Sequence, residues 1–185
     1  GEELEVDRAV RAGVELQRVD ADRLYQLHIK GVYAQLLAFM GKVDLPADPA
    51  QQQFWHDSQV AAFQMVDAVK NAHRLQRNMH RYLPEPTESA ARRSYIELRH
   101  HVLLALRDVR ALGRSDAPDT EWAAQLQALD DRNQNFADQF RQHLFAGIRS
   151  GALPGLVASS LMNDLGFAQR MLASLRQVLL LGEGH

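Results

Sequence analysis

Apolar residues recur at three- and four-residue intervals along almost the whole chain, the spacing of one helix face and not the alternation of a strand. Proline and glycine gather at four breaks: Pro46 and Pro49, Pro84 and Pro86, Gly113 to Pro118, and Gly151 to Gly155. Between them the pattern predicts five long helical segments and no strand. Short connections between long helices make sequence neighbours antiparallel. The expected fold is all-α, an elongated antiparallel helix bundle.

The first segment, about 3–43, carries a seam of Tyr25, Ile29, Val32, Leu36, Phe39 and Val43. Its first half uses another register, through Val6, Val10 and Gly13, so a bend near Asp20 to Asp22 is expected, with either aspartate as a new N-cap. The second segment, about 50–83, has the cleanest seam: Ala61, Met65, Ala68, Ala72, Leu75, Met79 and Tyr82. Small residues alternating with large ones let a neighbour approach closely. The third begins at Thr87 as an N-cap, buries Tyr95, Leu98, Val102, Ala105, Val109 and Leu112, and stops at Gly113. The fourth starts at Asp119 or Thr120 and carries Trp122, Leu126, Leu129, Phe136 and Phe140. Asn133 takes a seam position there, and the stripe shifts to Leu144 and Ile148. The fifth, about 154–182, has the broadest apolar face, from Val157 and Ala158 to Val178 and Leu179. The second and fifth helices are expected to pack centrally.

One residue interrupts that last face. Asp164 follows Leu161 by three and precedes Ala168 by four, so it points with them. A carboxylate buried without a partner costs several kcal/mol or titrates to neutral. Asp164 therefore lies at the rim of the face or has a partner. The expected role is structural, accepting hydrogen bonds from a neighbouring helix at the edge of the core.

Composition narrows the function classes. A chain of 185 residues with a formal net charge of −2 has no basic excess, so no nucleic-acid partner is expected. The absence of cysteine excludes disulfides, thiolate metal sites and cysteine nucleophiles. No run approaches the ~18 apolar residues of a membrane span, and the acidic N-terminus is not a signal peptide. The Gly-Glu-Glu start, without methionine, reads as a piece of a longer chain.

Candidate chemistry is sparse. A di-iron carboxylate site needs two Glu-x-x-His motifs, and only Glu97 to His100 is present. His73 and His80 flank the seam of the second helix and read as edge-of-core residues. Lys70, Arg74, Arg77 and Arg81 fall at i, i+4, i+7 and i+11, a basic stripe suited either to solvent or to an anionic surface. Asp130, Asp131, Asn133, Asn135 and Asp138 spread around their helix and lack the loop of a calcium site. No phosphate loop, nucleophile elbow or Ser-His-Asp pattern occurs, so no enzyme and no cofactor is expected.

Two stretches, VDAVKNAHRLQRNMHRYL (66–83) and SSLMNDLGFAQRML (159–172), carry a resemblance. They resemble the PhoU-like helical domain at the cytosolic C-terminus of bacterial sodium/phosphate cotransporter family proteins. The resemblance implies two pseudo-repeated helical units, 3–83 and 87–182, with a signature stretch in the third helix of each. It implies a regulatory or auxiliary domain on the cytoplasmic side of the inner membrane, a soluble part of a membrane protein. Its partners would be the membrane portion of the transporter or a phosphate-signalling regulator, with room for a homo-oligomer. A free-standing signalling adaptor is the alternative. PhoU-like domains often bind metal clusters through an acidic residue and an aspartate four positions apart. The matching positions are Asp67 and Asn71, and the second signature has Asn163 and Asp164. One carboxylate where two are needed implies that no metal is held.

Overall fold

The computed structural model describes residues 23, 25–43, 48–82 and 89–183. The opening helix, the bend near Asp20 to Asp22 and the Thr87 cap lie outside these. A π-helical turn, Tyr25–Lys30, leads into α1, Gly31–Met40. Four long helices follow: α2 Pro49–Tyr82, α3 Ala90–Leu112, α4 Asp119–Arg149 and α5 Gly155–Glu183. The described residues are all-helical, as the three- and four-residue spacing predicts, and the helices pack against one another as a bundle.

Side-chain pairs give the directions. Asp108 meets Arg132 and Glu97 meets His143, so the partner's number falls as that on α3 climbs. The same inversion holds for Arg141 with Gln169 and Asp130 with Arg176, and for Asp67 with Ser174 and Asn78 with Asp164. Helix α4 thus runs antiparallel to α3 and α5, and α5 antiparallel to α2. Helix α5 touches each of the other three long helices, most extensively α2. Tyr95, Leu98, Leu129, Phe140 and Leu144 are its fully buried neighbours in the core, with α5's own Leu161, Leu165, Ala168, Met171 and Leu172 beside them.

Local chemistry sets the helix ends. Ser89 caps α3: its backbone is extended and its hydroxyl accepts from the Arg92 amide. Helix α3 stops at Gly113 as expected. Trp122 Nε1 donates to the Leu112 carbonyl at 3.1 Å, which closes one α3 end onto the first turn of α4. Between α4 and α5 the chain reverses through Gly151 at φ +74, where an L side chain would be strained. At Gly147 an added Cβ would stand 3.1 Å from Leu153, so the missing side chain lets buried Leu153 close the turn.

The first segment departs from expectation. Its seam is not a core face: Val32, Leu36 and Phe39 are exposed, while Tyr25, Ile29 and Val43 are half-buried. The π turn also breaks the register that a strict seam would need. On α2, Met65 is 49% exposed although its seam partners Leu75 and Met79 are buried. Burial on α2 begins only at Val66, so Met65 stands at the core's edge, one position before it. Phe54 and Phe63 are exposed on the same half of the helix, and Phe39 of α1 reaches Trp55 with ring centroids 6.4 Å apart. Ile148, at the end of the α4 stripe, is exposed too.

These positions separate in a stability measurement. Leu161→Ala, at full burial on the central helix, is expected to cost about 3 kcal/mol in urea unfolding. Met65→Ser is expected to stay within about 0.5 kcal/mol of the parent. Equal losses at the two positions would mean that α2 is covered at Met65 in solution.

Candidate functional site

The polar seam between α2 and α5 brings the two signature stretches together. Asp164 rides the buried stripe of α5 and has no exposed surface. It lies at the junction of three helices, more deeply than the edge position expected. Tyr95 Oη of α3 donates to its Oδ2 and Asn78 Nδ2 of α2 donates to its Oδ1, both at 2.6 Å. Tyr82, at the end of α2, stacks on Tyr95 with centroids 4.8 Å apart and nearly parallel rings. Burial pushes the Asp164 carboxyl above its usual range, and the two donors oppose that rise. Burial, then the bond to Asp164, pushes the Tyr95 phenol far up, so it remains a donor at every physiological pH.

Three turns along the seam sits a second polar group. Asp67 Oδ2 accepts from Asn71 Nδ2 at 2.9 Å and from Ser174 Oγ at 3.2 Å. Asn71 Nδ2 also reaches the Asp67 carbonyl at 2.9 Å, one helical turn back. Asn71 is 1% exposed, and its Oδ1 is buried with no hydrogen bond among the described residues. The four-residue spacing of Asp67 and Asn71 does put both side chains on one face. Ser174 and Asp164 lie ten residues apart on α5, roughly 15 Å at 1.5 Å per residue, so the two carboxylates do not meet. Asn163 faces solvent while Asp164 faces the core, which splits the second signature pair. Among the described residues no three His, Asp or Glu side chains gather in a group able to hold a metal ion.

The basic stripe flanks this seam. Lys70, Arg74, Arg77 and Arg81 are all exposed. The Arg74 guanidinium lies over the Phe167 ring at 5.5 Å and Arg170 of α5 lies over it at 5.0 Å, so one aromatic ring supports two cations. Arg81 lies over its neighbour Tyr82 at 5.7 Å. His73 is half-buried and His80 exposed.

Other contacts were not legible as motifs. The Glu97 of the lone Glu-x-x-His motif turns to His143 Nδ1 of α4, 3.2 Å away. His101 stacks on Phe136 with centroids 3.8 Å apart. Burial pulls its imidazole down to about 4, with His100 and Arg132 adding to the fall and Asn133 opposing it. The signal for that pair was its register: His101 follows Leu98 by three and Phe136 lies on the α4 stripe.

The seam predicts a distinct pH behaviour. A carboxyl raised by folding stabilises while protonated, so its contribution is complete below 3.8 and is lost as pH rises through the raised folded value. The parent is therefore expected to lose stability relative to Asp164→Asn as pH climbs from below 3.8 to neutral. Asp164→Asn itself is expected to be mild, about 1 kcal/mol or less, because Tyr95 Oη can accept from the new amide. Asp164→Leu leaves Tyr95 and Asn78 without an acceptor and is expected to cost about 1–3 kcal/mol for each. Urea unfolding across pH reads all three; a stable Asp164→Leu protein would show that neither bond matters.

Comparison of the chain with protein-family models, with curated proteins and with solved structures finds no match.

Proposed function

We propose that this chain is a non-catalytic regulatory or auxiliary domain of the PhoU-like kind, acting for a sodium-dependent phosphate transporter from the cytoplasmic side of the inner membrane. One observation carries the reading. The two stretches that carry the resemblance lie against each other on antiparallel helices, and the carboxylates in them are bonded across that interface. A two-unit domain whose signature helices pair would be built this way.

The same geometry favours a binding role over catalysis. Asp164 is sealed between Tyr95 and Asn78, and a general base must reach the proton it removes. Among the groups facing outward are cations and apolar side chains: the stripe from Lys70 to Arg81, and Val32, Phe39, Phe54 and Phe63. Such faces serve docking to the membrane portion of the transporter, where anionic headgroups and apolar helices are at hand. Among the described residues no helix is long and apolar enough to cross a membrane, so the spans would belong to another part of the protein.

Two experiments test the reading. The encoded protein is expected to contain several apolar spans of about 20 residues before this chain. A reading frame that encodes this domain alone would favour the free-standing adaptor instead. In the second, Lys70, Arg74, Arg77 and Arg81 are changed together to glutamate. Exposed charges contribute only about 0–1 kcal/mol each, so the fold is expected to survive. Co-purification with the transporter's membrane portion is expected to fall, and its salt dependence to weaken. Undiminished association at low salt would rule the stripe out as a docking face.

A further inference from the structure

A second concentration of cations lies away from α2, on the face where α3 meets α4. A cavity of about 550 Å³, open to solvent, is lined there by Arg107 and Arg110 from the end of α3, by Arg114 from the turn after it and by Arg132 from α4. Arg107 and Arg110 fall at i and i+3 on one helix face, and Arg114 follows in the turn beyond Gly113, so three arginines border one space. One carboxylate shares the lining, Asp108, and it is held by Arg132 at 2.7 Å. Among the described residues neither Arg110 nor Arg114 pairs with a carboxylate. His101 adds no charge at neutral pH, because burial holds its imidazole down to about 4. Arg110 and Arg114 thus bring two positive charges with no carboxylate bonded to them to one space, in a chain whose net charge is −2.

Like charges crowded at helical spacing repel one another, so the unliganded cluster is mildly unfavourable and an anion relieves it. Guanidiniums present flat forks that match the paired oxygens of phosphate groups, and several forks around one space suit a polyvalent anion. The wall between the cations is apolar, made by Leu104, Ala105, Ala111 and Leu129. The volume lies within the roughly 300–1,000 Å³ of small-molecule sites, several times what one inorganic phosphate needs. We infer that this cavity binds a small organic polyphosphate, a compound with two or more phosphate charges on an apolar or aromatic body. The site is separate from the α2 stripe and does not depend on the transporter reading.

The test is isothermal titration of the purified chain at low salt with ADP, inorganic pyrophosphate, inorganic phosphate and adenosine as probes. ADP is expected to bind one molecule per chain, with pyrophosphate weaker by about tenfold, phosphate weaker still and adenosine not at all. Affinity is expected to fall as salt is raised. Arg110→Ala with Arg114→Ala is expected to weaken ADP by about tenfold or more with the melting temperature unchanged, since both side chains are exposed. Lys70→Glu with Arg74→Glu, on the other face, is expected to leave ADP binding as it was. Failure of ADP to saturate at millimolar concentration, or binding indifferent to the Arg110 and Arg114 change, overturns the inference. So does binding to vesicles containing anionic phospholipid without any binding of ADP, which would make the cluster a lipid-headgroup contact.

Discussion

A single carboxylate buried where three helices meet constrains the packing of this bundle. Asp164 has exchanged water for two short hydrogen bonds, one from α3 and one from α2. Buried polar groups are costly when unmade and contribute only about 1 kcal/mol when made, so their main effect is to exclude alternatives. If α5 slid one turn along α2, Asp164 would leave Asn78 and face the apolar stripe of Leu75 and Met79. Asp67 and Ser174 repeat the constraint roughly 15 Å away along the same seam. Two polar pins on one interface set both register and direction, which the small-large apolar seam by itself leaves degenerate.

Where a segment's apolar face was covered by the other long helices, its burial was legible from periodicity. Tyr95, Leu98 and Val102 on α3, Trp122, Leu126, Leu129 and Phe140 on α4, and the α5 stripe from Ala158 to Leu172 are buried where the three- and four-residue spacing put them, while Val157, Leu175, Val178 and Leu179 are half-buried. The first segment and the first half of α2 have equally good seams, yet Val32, Phe39 and Met65 are exposed. Amphipathicity states that a face wants cover and is silent on whether anything supplies it. Asp164 was legible as an anomaly, because a carboxylate between Leu161 and Ala168 demands a partner. Its partners were not, since Tyr95 lies 69 positions away and only the packing of α3 on α5 brings them together. The same holds for Glu97 with His143, and for His101 with Phe136, whose meaning depends on what faces them.

Net charge concealed a segregation that helix geometry creates. Cations at helical intervals collect on one flank of α2 and again at the end of α3, while many of the carboxylates are engaged locally. Asp108 holds Arg132, Asp138 holds Arg141 and Asp130 holds Arg176. A composition that looks neutral overall therefore yields two basic surfaces of different character. On α2 the cations form an open stripe, with Arg74 and Arg81 over aromatic rings. On α3 they line a concave space with an apolar wall. Shape separates the two: a stripe fits an extended surface, and a cavity fits a bounded ligand.

The distribution of polar chemistry between interior and surface then bears on what the domain does. Its buried carboxylate, Asp164, is hydrogen-bonded on both oxygens and so ties together the positions of α2, α3 and α5. Those same helices carry cations outside the core: Arg74 on α2 and Arg170 on α5, both over Phe167, and Arg107 on α3. A ligand or partner that draws one helix toward itself must either move the seam as a unit or break a bond at Asp164. Because a buried bond left unmade costs more than a solvated contact gives, the helices respond together. The buried seam thus ties α2, α3 and α5 into one mechanical unit.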